Sequence, residues 1–188
     1  MKTIAVYCGS SSGNNEIYRE QAAVTGRFLA QKGIGLVFGG GKVGLMGVLA
    51  DAALEAGGKV TGVIPGFLQT KEVAHEKLTE LITVESMHAR KALIHEMSDG
   101  FMALPGGYGT LEELFEMLTW GQLGLHPKPV GLLNIAGFFD HILSALDHMV
   151  LEGFVHEINR KMVITDHHPE NLFKKMLAYQ APTVPKWL

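Results

Sequence analysis

The sequence predicts a doubly wound α/β fold, a mainly parallel sheet with helices on both faces, formed by residues 1–188 as one domain. Three observations predict it. Short β-branched runs alternate with longer stretches of three- and four-residue apolar spacing, the signatures of strands and amphipathic helices. The short runs are apolar on both faces, as strands covered from each side must be. Several turns that lead from a run into a helical stretch are rich in glycine or serine, which lets backbone pass close to another group.

Taken in order, TIAVYC reads as a strand over 3–8 and is followed by a helix over 16–31. GLVF gives a strand over 35–38, then GLMGVLADAALEA a helix over 44–56. Strands over 59–64 and 81–84 precede a helix over 87–97. FMAL closes a strand over 100–104, with a helix over 111–122, a strand over 129–133 and a helix over 138–151 beyond it. The plan is Rossmann-like. The tail from Ala181 carries two prolines, so it is expected to be either frayed or an arm laid on a neighbouring subunit.

Lysine and arginine total 16 against 19 acidic residues, and no basic run is present that would neutralise several backbone phosphates, which argues against a nucleic-acid partner. The lone cysteine, Cys8, has no internal partner, and the apolar part of MKTIAVYCGSSSG is too short for a signal peptide. No stretch approaches the roughly 20 apolar residues that cross a bilayer. A soluble cytoplasmic protein is expected.

In a doubly wound sheet every strand-to-helix turn lies on the carboxyl edge, and ligands bind where the strand order reverses. The turns there are CGSSSG, GGGKVG, PGF, ESMHARK and PGGYGT. Helix N-termini at these places offer free N–H groups and the positive end of a dipole, which favour an anion such as phosphate. The run Gly39-Gly40-Gly41-Lys42-Val43-Gly44 matches G-x-G-x-x-G after a strand, but the next strand ends Val63-Ile64-Pro65-Gly66, without the acidic residue that would hold a dinucleotide ribose. A P-loop fails because Val43, not serine or threonine, follows Lys42. Either these glycines only tighten a turn, or Gly39, Gly40, Gly41 and Gly44 hold the phosphate of a mononucleotide.

PGGYGTLEE supplies the second glycine turn, and Thr110 to Glu113 has the T-x-x-E spacing of a capping box. In the bland reading Thr110 caps a helix beginning at residue 111 and Glu113 is structural. In the other, a carboxylate beside cations and an anion-binding turn is equipment for glycosidic cleavage. Arg90 and Lys91 fall in the first turns of their helix, where cations are unfavourable by roughly 0.3–1 kcal/mol, so a shared anion would explain them. A solvated charge pair is the plainer account. The nine histidines show no metal-ligand spacing, and no metal is expected. The helix over 111–122 is more apolar than one amphipathic face requires, which suggests burial against a partner helix or in the core.

Taken together, PGGYGTLEE, MHARK, GGGKVGLMG and TWGQLG, with CGSS near the start, resemble the "Lonely Guy" (LOG) family of cytokinin riboside 5'-monophosphate phosphoribohydrolases, long mislabelled as lysine decarboxylases. The resemblance spans nearly the whole chain. It implies a Rossmann-like nucleotide-binding domain that hydrolyses the N-glycosidic bond of an N6-substituted adenosine 5'-monophosphate, or of AMP, to free base and ribose 5-phosphate. It also implies a homodimer with the helix over 111–120 near the interface. Residue by residue, it assigns Arg90 and Glu113 as catalytic. Substrate binding is assigned to Glu72, Arg90, Lys91, Gly107, Tyr108, Gly109, Thr110, Glu112 and Thr119, of which Glu72 lies in a stretch that departs from the family's usual proline-containing form.

On that reading Gly107, Gly109 and Thr110 join the Gly39–Gly44 glycines around the 5'-phosphate, and no cofactor is needed. The partner is a small purine nucleoside 5'-monophosphate. Pyridoxal chemistry needs a Schiff-base lysine and a pyridinium partner, normally in a larger two-domain body, so the decarboxylase label is rejected. The alternatives are a nucleotide or cofactor carrier on the same fold, which has no need of Arg90 with Glu113, and an NAD-dependent enzyme, which the missing acidic residue disfavours.

Overall fold

A computed structural model describes residues 1–69 and 74–182. Seven strands, β1 (Thr3–Tyr7), β2 (Gly35–Phe38), β3 (Val60–Pro65), β4 (Glu80–Val84), β5 (Gly100–Ala103), β6 (Val130–Leu133) and β7 (Val163–Asp166), form one sheet. All pairings are parallel, in the order β4-β3-β2-β1-β5-β6-β7. The chain builds outward from β1 to β4, then crosses to β5 beside β1, so the order reverses between β1 and β5. The doubly wound α/β class is thus observed.

Alternation along the strands divides the apolar residues between two cores, because successive side chains point to opposite faces. Ile4, Val6, Leu36, Phe38, Met102 and Leu104 fill one face beneath α1 (Ile17–Gln31), α2 (Gly44–Glu55) and α8 (Pro169–Leu177). Ala5, Tyr7, Val37, Phe101 and Ala103 fill the other with α4 (Met87–Met97), α5 (Tyr108–Gln122) and α6 (Asp140–Leu151). The short α3 (Gly66–Gln69) and α7 (Glu157–Arg160) and a 3-10 turn at Ile135–Gly137 complete the described elements.

Most boundaries fall within a residue or two of those expected. The differences are physical. Cys8 and Leu104 lie just past their strands, in turns that begin at the sheet edge. The last αβ pieces, β7 and α8, were not expected. Val163–Asp166 lies at the sheet's edge with only Val163 buried and ends in Thr165 and Asp166, so it lacks the continuous apolar run that marked the inner strands, although Pro169 at the first position of α8, Glu170 in its first turn and Lys174 and Lys175 in its last are ordinary helix markers. Residues 183–188 of the proline-bearing tail, and Glu72, lie outside the described residues.

Candidate active site

Three turns meet where the strand order reverses. After β1 the chain passes through Cys8, Gly9 and Ser10, and after β5 through Leu104 to Gly107. Gly9 stitches them together: its N–H donates to Pro105 O (3.0 Å) and its carbonyl accepts from Leu45 N at the start of α2 (3.0 Å). A Cβ on Gly106 would lie 2.1 Å from Thr110 Oγ1 and 2.8 Å from Gly9 N, so only glycine allows this approach. Above the junction is a cavity of about 280 Å³. Cys8, Met46, Leu68 and Met87 form its apolar wall, Gly9, Ser10 and residues 107–110 its backbone wall, and Arg90, Glu112 and Glu113 its charged wall.

Arg90 comes from α4, whose start is fixed by Ser86: the hydroxyl accepts from Ala89 N at 3.1 Å. The arginine is only 7% exposed, yet its bonding is incomplete. Nη2 lies 3.9 Å from Glu113 Oε1, Nη1 has a 3.8 Å contact with Met87 Sδ, and Nε has no hydrogen-bond partner among the described residues. A buried cation with unused donors is suited to an anionic or oxygen-rich ligand. Across from it, burial pushes the Glu113 carboxyl up to about 7; Arg90 and Lys91 oppose the rise, and Glu112 and Glu116 reinforce it. Strongly shifted carboxyls in clefts mark sites where protonation is functional. Burial also raises the Cys8 thiol, which keeps this cavity residue from serving as a thiolate nucleophile.

Lys91 faces a different task. Its ammonium lies 2.5 Å from Glu112 Oε1 and 3.0 Å from Glu116 Oε1. Burial would lower its pKa, but the hydrogen bonds to both carboxylates outweigh that and hold it above the usual lysine range. Both cations at the start of α4 are therefore paired with glutamates of α5, which accounts for their unfavourable place on the helix. Lys91 does not line the cavity; it orients Glu112, which does. Glu116 was missed in the sequence. It stands one helical turn after Glu112, the i,i+4 spacing that puts both on one face.

The capping box is not formed. Helix α5 begins at Tyr108, its N-cap is Gly107, and no side chain caps it. Thr110 is therefore the third helical residue, buried at 4% exposure, and Glu113 lies in the second turn rather than at a cap. The box reading placed the helix start three residues late because Gly107, Tyr108 and Gly109 are poor helix formers. Leu111 N is bonded to Gly107 O, so the amides of Tyr108, Gly109 and Thr110 are the ones left at the helix mouth. Nothing lies within 4 Å of where a Cβ on Gly107 or Gly109 would be. Tyr108 is 94% exposed on the rim.

The structure does not bring every expected residue to this cavity. Gly39, Gly40, Gly41 and Gly44 do not line it. Gly39 instead backs the arginine: a Cβ there would sit 2.0 Å from Arg90 Nη2. Gly39→Ala is expected to displace the guanidinium and lower kcat/KM on the substrate proposed below by ten- to a hundredfold, since a 1 Å misplacement can cost about a hundredfold. Its melting temperature should stay within a few degrees; steady-state rates and a thermal melt check both, and an unchanged rate would show that the guanidinium yields without consequence. Thr119 lies on another face of α5, where its hydroxyl donates to Phe115 O (2.7 Å) and it borders a separate cleft with Leu146 and Met149. The apolar wall of Met46, Leu68 and Met87 was not foreseen, because single methionines and leucines carry no site signal in a sequence.

Sheet, reversal point and buried Arg90–Glu113 pair define a doubly wound α/β protein with a small-molecule site at its carboxyl edge. A family profile described as "possible lysine decarboxylase" matches residues 46–176. The cytokinin riboside 5'-monophosphate phosphoribohydrolase LOG2 of Arabidopsis thaliana is 45% identical over 185 residues, covering 98% of this chain and 85% of that protein. The phosphoribohydrolase LOG of Oryza sativa subsp. japonica is 47% identical over 178 residues, covering 95% and 74%. This chain belongs to the LOG family of cytokinin riboside 5'-monophosphate phosphoribohydrolases, as its motifs suggested. In fold alone it also resembles the molybdenum cofactor binding protein from Rippkaea orientalis, with a TM-score of 0.70, 24% identity, and 94% of this chain and 95% of that one covered.

Proposed function

We propose that this protein is a hydrolase that cleaves the N-glycosidic bond of adenosine 5'-monophosphates, N6-substituted or plain, to free base and ribose 5-phosphate. The observation that carries it is the incompletely bonded Arg90 beside the buried Glu113 carboxyl, both lining one cavity. Breaking this bond builds positive charge on the ribose and negative charge on the departing base, through an oxocarbenium-like transition state. Glu113 as carboxylate lies below the ribose, offsets the sugar's charge and orients the water that attacks C1'. Arg90 neutralises negative charge as the base leaves. The 5'-phosphate sits on the uncapped mouth of α5, on the amides of Tyr108, Gly109 and Thr110 above the open space at Gly107 and Gly109. Glu112, steadied by Lys91, or Glu72 binds ribose hydroxyls. Gly39 serves this site from behind by seating Arg90, the turn through Gly40, Gly41 and Gly44 carries the chain on from it into α2, and Thr119 lies on a face of α5 that borders a separate cleft.

A lysine decarboxylase reading meets a specific obstacle. A Schiff-base lysine must be readily deprotonated, and Lys91 is held in the charged form by two carboxylates. Among the described residues no helix is long and apolar enough to cross a membrane, and we place the protein in the cytoplasm. Exposed Leu123, Leu125, Leu151 and Phe154 near the ends of α5 and α6 support a homodimer through that side.

Incubation with AMP, with N6-isopentenyladenosine 5'-monophosphate and with adenosine, followed by chromatography for free base, tests the reading. Both nucleotides should release base, and adenosine should react at least a hundredfold more slowly in kcat/KM, because binding energy from the remote phosphate drives the sugar into place. Adenosine cleaved as fast as AMP would remove the phosphate from the mechanism, and AMP bound without release of base would point to the carrier alternative.

A further inference from the structure

Among the described residues His75 is the most buried titratable side chain outside the cavity, at 2% exposure, and its main-chain N–H and both ring nitrogens are hydrogen-bonded. Its main-chain N–H donates to Gly40 O at 3.0 Å, and the preceding Ala74 forms an antiparallel bridge with Gly41. Its ring Nδ1 accepts from Lys77 N (3.3 Å), which leaves the proton on Nε2 to be donated to Asp51 Oδ1 at 2.9 Å. Asp51 stands on α2, the helix that the glycine turn leads into. One residue thus ties the main chain of the β2–α2 turn to the helix beyond it and to the start of the approach to β4.

What that turn holds is Arg90. Gly39 leaves the guanidinium no spare room on its side, and Met46 Sδ, from the first turn of α2, would lie 3.5 Å from a Cβ at Gly39. Gly40 is pressed from the opposite side, since a Cβ on Gly62 of β3 would lie 2.8 Å from its Cα. The turn is therefore a thin slab between β3 and Arg90, and its free edge is the one His75 clasps. A glycine run has no side chains with which to fix itself, so its position must come from such neighbours.

We propose that His75, through Asp51 and the carbonyl of Gly40, is a positioning residue for the Arg90 guanidinium. It touches neither substrate nor reacting atoms. Loosening the clasp lets the turn recede, and the guanidinium follows it away from the sugar. Since Arg90 acts as the base departs, the loss falls on kcat rather than on KM. Asp51, half exposed, contributes only as an acceptor, which an amide oxygen replaces.

The inference rests on the hydrolase reading and is tested with AMP on the full chain. His75→Ala should lower kcat about tenfold, short of the hundredfold that a 1 Å misplacement can cost, with KM within about twofold. His75→Gln, which keeps an N–H in reach of Asp51, should recover part of the rate. Asp51→Ala should lower kcat several-fold and Asp51→Asn should leave it unchanged. The effects of His75→Ala and Asp51→Ala should not multiply when combined, because each breaks the same link. A folded His75→Ala variant with wild-type kcat, or a loss confined to KM, overturns the proposal. If His75→Ala does not fold, Asp51→Ala decides: wild-type kcat in that variant overturns the proposal, and a fall that Asp51→Asn does not share supports it. A wild-type protein that releases no base from any nucleotide sinks the hydrolase reading itself, whereas active wild type with unaffected variants sinks only the role of His75.

Discussion

Glu113→Gln is expected to lower kcat for AMP hydrolysis by at least a thousandfold while AMP still binds with an affinity within a few-fold of wild type. The amide keeps the shape and one acceptor oxygen but cannot offset charge on the ribosyl ring or accept a proton from water. A positioned acid or base is worth about 10²–10⁴ in rate, and electrostatic stabilisation of a developing charge adds to it. Single-turnover kinetics with equilibrium binding of AMP separate the two effects. Near-wild-type turnover would return Glu113 to a structural role.

The same carboxyl sets the pH dependence. With its pKa raised to about 7, wild-type kcat/KM should climb about tenfold per unit below that value and level above it, because the proposed mechanism uses the carboxylate. The phosphate of the substrate titrates lower, near pH ~6, and is resolved from it. A rate that falls through pH 7 instead would make Glu113 the acid that protonates the base. Stability has the opposite sign. A carboxyl raised on folding favours the neutral form, so its contribution is complete below the usual carboxylate range near 4.5 and is lost as pH rises through 7. Ionised Glu113 then costs the fold about 3 kcal/mol, an order-of-magnitude figure. Glu113→Gln should lack this loss and melt higher than wild type at pH 8, as expected where a strained site serves activity.

How much of this was legible beforehand depends on which physical signal each part leaves. Alternating runs such as TIAVY and GLVF announced the strands, because burial on both faces of a parallel sheet demands continuous apolar residues. Arg90 stood out because a cation at a helix start is locally unfavourable, and such exceptions point to function; Glu113 had an ordinary explanation as part of a capping box, and only the neighbouring cations and glycine turns, with the family resemblance, singled it out. The start of α5 was misplaced for the same reason it is useful: Gly107 and Gly109 weaken the helix signal where they open its mouth to a ligand. Neither Gly39 behind Arg90 nor His75 beneath Gly40 could be seen without coordinates. They lie 51 and 35 residues from their partners, and a close approach across such separations leaves no local pattern.

The second large effect is at Arg90. Arg90→Ala should lower kcat by about 10²–10³, the loss typical of removing one preorganised donor to developing charge. It should also leave a signature that no general destabilisation produces. Arg90 is the strongest influence holding the Glu113 carboxyl down, so without it that pKa must rise above 7 and the ascending limb of the residual pH–rate profile must move to higher pH. Arg90→Lys restores a charge but as a point on a flexible stem, without the planar fork that meets Glu113 and the ligand together. It should return the limb towards 7 yet recover only part of the rate. Folding should tolerate the loss at neutral pH, because a Glu113 left without its cation takes up a proton instead of remaining a buried charge. An Arg90→Ala variant with unchanged kcat and an unmoved limb would reduce the guanidinium to a packing element, and Glu113 would then have to act alone.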